Sequence, residues 1–226
     1  MSAREETGAG GQTETGRDPA GVWLLVTLIA LCVLPELVIR AAPLWGGAPD
    51  RLRRLAEGYF AFWPGLLWDW RPNYPFQSLA MFVTYSLLHT GLWHLGLNML
   101  TLWSLGRALI DDIGQGRLAA VYLVSAVGGG LGYALLGSGT QPMVGASGAL
   151  FGLAGALIWD QWTQERQLRV LVVPTLLLIA MNVVMYWVMG GWLAWQTHLG
   201  GFLAGGLAMM AAMRLGRRSA RRPPGA

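Results

Sequence analysis

Charge is scarce in this chain: Asp, Glu, Lys and Arg make up only 12% of its 226 residues, against about 25% in ordinary soluble domains. With 54% hydrophobic residues and a mean hydropathy of +0.44, that scarcity excludes a water-soluble globule and points to a lipid bilayer as surroundings. Lysine is absent, and every basic residue is arginine. The single cysteine, Cys32, excludes an internal disulfide framework. Histidine occurs three times. A net charge of +4 is compatible with nucleic-acid binding, but arginine gathered at helix ends is what orients membrane proteins. No nucleic-acid partner is expected.

What is abundant is apolar sequence in runs. Six are near the roughly 20 residues that cross a bilayer: about 21–39, 79–106, 118–136, 143–159, 170–189 and 192–213. The expected fold is an all-α bundle of six transmembrane helices over residues 20–215, flanked by disordered cytoplasmic tails at 1–19 and 216–226. The first run follows a polar tail and carries Pro35 and Glu36, so it reads as a retained helix and not a signal peptide. The connection at 43–78 is long. Its Trp45, Trp63, Trp68 and Trp70, with Tyr59, Phe60, Phe62 and Tyr74, give it the composition of a membrane interface. Eleven arginines fall on one side of this arrangement and four on the other, which places both termini in the cytoplasm. Without an organelle-type presequence, a plasma membrane of bacterial inner-membrane type is expected.

The rare polar groups then fall at one level. His89, His94 and Asn98 lie in the outer half of the second run, Ser147 about four residues into the fourth, and His198 about six residues into the sixth. At a rise of 1.5 Å per residue, Ser147 and His198 share a depth of roughly 6–9 Å. An ionisable group inside a membrane marks a functional site by default. Gly148 and Gly152, and Gly201 and Gly205, form two small-residue pairs that let helices approach closely. The residues read as a Ser147–His198 dyad in which a neutral imidazole is the general base. His94, Asn98 and the Ser147 backbone N–H are the candidate oxyanion donors.

No carboxylate stands where it could support His198; Asp160 lies about 20 Å further along the helix of Ser147. A soluble α/β-hydrolase is excluded because its G-x-S-x-G elbow would need glycine where Ala149 stands. The spacing of His89 and His94 does not suit a zinc site, and no metal or cofactor is expected.

These motifs together resemble the rhomboid family of intramembrane serine proteases. His89, His94 and Asn98 match its second helix, Gly145-Ala146-Ser147-Gly148 its G-x-S-G, and His198, Gly201 and Gly205 its H-x-x-G-x-x-x-G. The resemblance covers roughly residues 79–213. It implies a protease that cleaves transmembrane helices of other proteins near the outer face, with Ser147 as nucleophile and His198 as base. It gives His89 a structural role and makes the segment Met185 to Gly191 part of a mobile gate. Three positions depart from the family pattern. Ala80-Met81 occupy the place of a frequent Trp-Arg pair, while Trp70-Arg71 lies ten residues earlier. Phe151 replaces a tyrosine that stacks on the base. Ile110, beside Asp111, replaces a common glutamate. The rival readings are a catalytically silent relative that binds membrane helices, and a transporter with polar residues along a path. The second would place polar groups in the inner halves of the fourth and sixth helices, which have almost none.

Overall fold

The computed structural model describes residues 19–137 and 140–220, so the expectations for 1–18 and 221–226 lie outside the described residues. Among the described residues seven α-helices follow one another: α1 (Pro19–Ala41), α2 (Pro49–Phe60), α3 (Gln77–Thr84), α4 (Leu92–Leu136), α5 (Ser147–Glu165), α6 (Leu168–Val188) and α7 (Trp195–Ala220). No strand occurs among the described residues; one isolated antiparallel bridge joins Phe62 to Met143. Four helical stretches are long and apolar enough to cross a membrane: Gly21–Trp45, Leu92–Leu136, Leu168–Val188 and Trp195–Leu215.

α4 is too long for one crossing. Its 45 residues would span about 67 Å, more than twice a hydrocarbon core of about 30 Å. It breaks at Gly114, whose φ of 75° and ψ of 161° are open to a residue without a side chain. The two arms run in opposite directions. His94, at the start of the first, lies against Gly145, and Tyr133, near the end of the second, hydrogen-bonds to the Gln141 carbonyl. Both ends of α4 thus meet the same short link that leads into α5.

One expected span is corrected. Residues 79–91 are not part of the helix that carries His94. They form the end of α3, a 3-10 turn at Tyr85–Leu87 and an extended link, and the helix starts at Leu92. The Ser86 hydroxyl donates to the Val83 carbonyl, and Leu95 N–H takes Gly91 as its first acceptor. A polar turn therefore interrupts what reads as one apolar run. His89 accordingly precedes the helix. Ser147 is the first residue of α5, not its fourth, and α7 continues to Ala220, past residue 215.

The first connection is ordered. α2 has no buried residue, and Phe62, which follows it, is fully buried. Phe62 meets Phe82, Tyr85 and Tyr133 edge-on at 4.9–6.2 Å. Its backbone pairs with Met143, N to O 2.9 and 3.0 Å, which ties the loop to the link before α5.

The second arm of α4, α5 and α7 form the tight centre. In a bilayer, helices associate through van der Waals contact and polar bonds, because lipid tails are as apolar as the side chains. Here the contact is backbone to backbone. A Cβ on Gly201 would fall on the Gly148 carbonyl oxygen, and one on Gly205 on that of Gly152. α6 differs: none of its residues is buried, and its main contact is with α5.

Candidate active site

Three helix ends converge on one point. Ser147 opens α5, where the first N–H groups of a helix have no intrahelical acceptor and the helix dipole favours negative charge. His198 lies in the first turn of α7. The crossing of α5 and α7 at Gly148/Gly201 sets the two side chains facing, with Ser147 Oγ 2.9 Å from His198 Nε2. His198 is buried. Phe151, one turn after Ser147, stacks on its ring at 4.2 Å between centroids and 6° between planes. The phenyl ring thus occupies one imidazole face and contributes no hydrogen bond.

Gly145 lies in the left-handed half of backbone space, with φ of 124°, held by its N–H to the Tyr85 carbonyl at 3.0 Å. A side chain there would collide with His94, since a Cβ would lie 2.7 Å from Cε1 and 2.8 Å from Nε2. His94 therefore reaches the link two residues before Ser147. Its Nδ1 faces the Thr90 hydroxyl at 3.1 Å and the Thr90 backbone N–H at 3.5 Å. A backbone N–H can only donate, so Nδ1 is the acceptor and Nε2 carries the hydrogen towards Gly145. Asn98 is buried. One hydrogen of its amide goes to the His94 carbonyl at 2.7 Å, which leaves the second.

His89 is buried behind this cluster. It receives the Ala146 N–H on Nε2 at 3.5 Å and sets its ring edge-on to His94 at 5.1 Å. Its carbonyl accepts from Arg53 at 2.7 Å. Arg53 also grips the buried Glu36 of α1 at 3.0 and 3.1 Å, and Glu36 pairs with Arg40 at 2.7 Å. This strap from α1 through α2 to His89 seats the first loop in a chain that lacks a Trp-Arg pair beside the histidine. Trp70 instead packs on Gly65 and Trp63.

Sequence reasoning missed two parts of the cluster. The Glu36–Arg53 pair joins residues 17 apart across a loop, and no spacing rule announces it. Asn182 of α6 faces His198, its Oδ1 2.5 Å from Nδ1. It had a signal: an amide is rare in the apolar run 170–189, and Asn182 lies seven residues from the end of that run, as His198 lies about six from the start of its own.

A family profile for the Rhomboid domain matches residues 77–215. RHOMBOID-like protein 5 of Arabidopsis thaliana is 38% identical over 125 residues, 52% of this chain and 39% of that protein. Rhomboid protease GluP of Bacillus subtilis is 32% identical over 139 residues, 61% of this chain and 27% of its own length. Rhomboid protein 1, mitochondrial, of Saccharomyces cerevisiae is 34% identical over 132 residues, 52% and 37%. The chain spans well under half the length of each of these relatives. The profile covers more than half of this chain, from the first residue of α3 to the last turns of α7, and takes in His89, His94, Asn98, Ser147, Asn182 and His198: the protein belongs to the rhomboid family.

Proposed function

We propose that the protein is an intramembrane serine endopeptidase that cleaves transmembrane helices of other membrane proteins near the outer face. The observation that carries this is the hydrogen bond from Ser147 Oγ to His198 Nε2 at 2.9 Å, in a site buried among apolar helices. As the Ser147 oxygen attacks a scissile carbonyl carbon, its proton passes to His198 Nε2. The developing oxyanion sits among the Ser147 N–H, the His94 Nε2–H and the free amide hydrogen of Asn98. His198 then gives the proton to the departing amine, and water hydrolyses the Ser147 ester by the same route in reverse. His89, Gly145, Gly148, Phe151, Gly201 and Gly205 hold these groups in place. No cofactor takes part in this scheme.

In this reading the chain crosses the membrane six times: α1, the two arms of α4, α5, α6 and α7. Both termini are cytoplasmic, and the membrane is a bacterial inner membrane. With Cys32 replaced, single cysteines at Gln141 and Ser219 should label from opposite sides of sealed cells; labelling from one side would overturn the orientation.

The direct test uses purified protein in liposomes with a panel of single-span helices. Wild type should cut at least one within its outer half. A wild type that cuts none, and takes up no serine-directed phosphonate, would leave the helix-binding, catalytically silent reading in its place.

A further inference from the structure

His198 has two ring nitrogens, and only one can accept the Ser147 proton. In neutral imidazole one nitrogen carries hydrogen and the other is bare, and the partner of the first decides which. The structure supplies that partner on α6. Asn182 Nδ2 donates to the Leu178 carbonyl of its own helix at 2.9 Å. This fixes the amide: a flip would set two oxygens against each other at Leu178. Asn182 Oδ1 therefore faces His198, and oxygen can only accept. The hydrogen must stand on Nδ1, so Nε2 is bare towards Ser147.

We propose that Asn182 is the positioning residue of the site: it holds His198 in the Nδ1–H tautomer and fixes the plane of its ring, so that Nε2 meets the Ser147 hydroxyl. The geometry is that of a Ser-His-Asn relay with a neutral third member. When Nε2 takes the Ser147 proton, Nδ1–H keeps its bond to the same oxygen, so the imidazolium forms without rearrangement.

The placement of Asn182 has a consequence. Among the described residues, Asn182–His198 is the side-chain hydrogen bond that joins α6 to the rest of the protein, and no residue of α6 is buried. A helix with no buried residue of its own therefore carries the group that orients the base. A displacement of α6 by more than a hydrogen-bond length would take this acceptor from His198.

This inference rests on the peptidase reading for its kinetic arm and stands without it for its spectroscopic arm. The chain has three histidines, so 15N-histidine labelling gives three assignable rings. In wild type at neutral pH, His198 should show a protonated Nδ1, a bare Nε2 and a downfield Nδ1 proton. Asn182→Leu should lose that proton signal and leave the His89 and His94 rings unchanged. Its kcat should fall at least about tenfold, with KM nearly constant. That is below the ~10⁴ lost when a triad carboxylate no longer sets the tautomer, because an amide adds no charge. A wild-type His198 protonated on Nε2 overturns the proposal, as does an Asn182→Leu protein with unchanged tautomer and kcat. If Asn182→Leu does not fold, the wild-type tautomer alone decides. If wild type shows Nδ1–H on His198 yet cleaves nothing, the peptidase reading fails and the positioning role of Asn182 survives.

Discussion

Ser147→Ala should abolish detectable cleavage, and His198→Ala should do the same. Each should lower kcat by about 10⁶, the scale on which a serine and its base act as one unit. The double variant should be no worse than either single one, because the second change removes a partner already without a role. In the proposed mechanism His94→Ala and Asn98→Ala each take one donor from the oxyanion and should cost about 10²–10³ in kcat, with little change in KM. Asn98→Ala should be the less clean of the two, since its amide also holds the His94 carbonyl. The measurement is kcat in liposomes on whichever single-span helix wild type cuts, alongside phosphonate labelling. Labelling should vanish in Ser147→Ala and persist, slowed, in Asn98→Ala. A Ser147→Ala protein that still cleaves at the wild-type rate would move the nucleophile elsewhere.

The second large effect is on the fold. Gly205→Val should leave no native protein to purify. Its Cβ would lie 2.0 Å from the Gly152 carbonyl oxygen, a backbone atom that cannot rotate away, so α5 and α7 must separate. Overpacking a core with side chains on both sides typically costs about 1–3 kcal/mol; here the obstacle is main chain and the loss is larger. Gly206→Ala is the control. Its Cβ would meet Gly155 only at 3.7 Å, an ordinary contact, and its melting temperature in detergent should stay within a few degrees of wild type. A Gly205→Val protein that melts where Gly206→Ala does would show that the helices have room to slide.

Much of the site was legible in the sequence because membranes make polar residues rare. Ser147 and His198, each followed by a small-residue pair, stand in runs that otherwise contain almost nothing able to react, and the structure brings them within hydrogen-bond distance. The boundaries were less legible. Hydropathy cannot separate an apolar turn from an apolar helix, so residues 79–91 merged with the helix that begins at Leu92. Ser147 seemed to lie a turn inside its helix because Met143 and Val144 extend the apolar run, whereas Met143 pairs with Phe62 in an extended bridge. Asn182 was overlooked although depth alone marks it, because one amide forms no spacing motif. The Glu36–Arg53–His89 strap was not legible at all: it depends on how a loop folds back, and periodicity carries nothing about that.

α5 is absent from the helical stretches apolar enough to cross a membrane unaided, although it packs against both α4 and α7. Its Gly148, Gly152 and Gly155 suit protein neighbours and give little to lipid. A segment of this kind partitions weakly into hydrocarbon by itself and is retained by helices that close around it. The order of synthesis then matters. α4 precedes α5 in the chain and α7 follows it, so α5 meets one of its two neighbours first and the helix that bears His198 second. The hydroxyl–imidazole pair therefore completes only when the last helix docks, and a chain interrupted before α7 carries a serine without its partner.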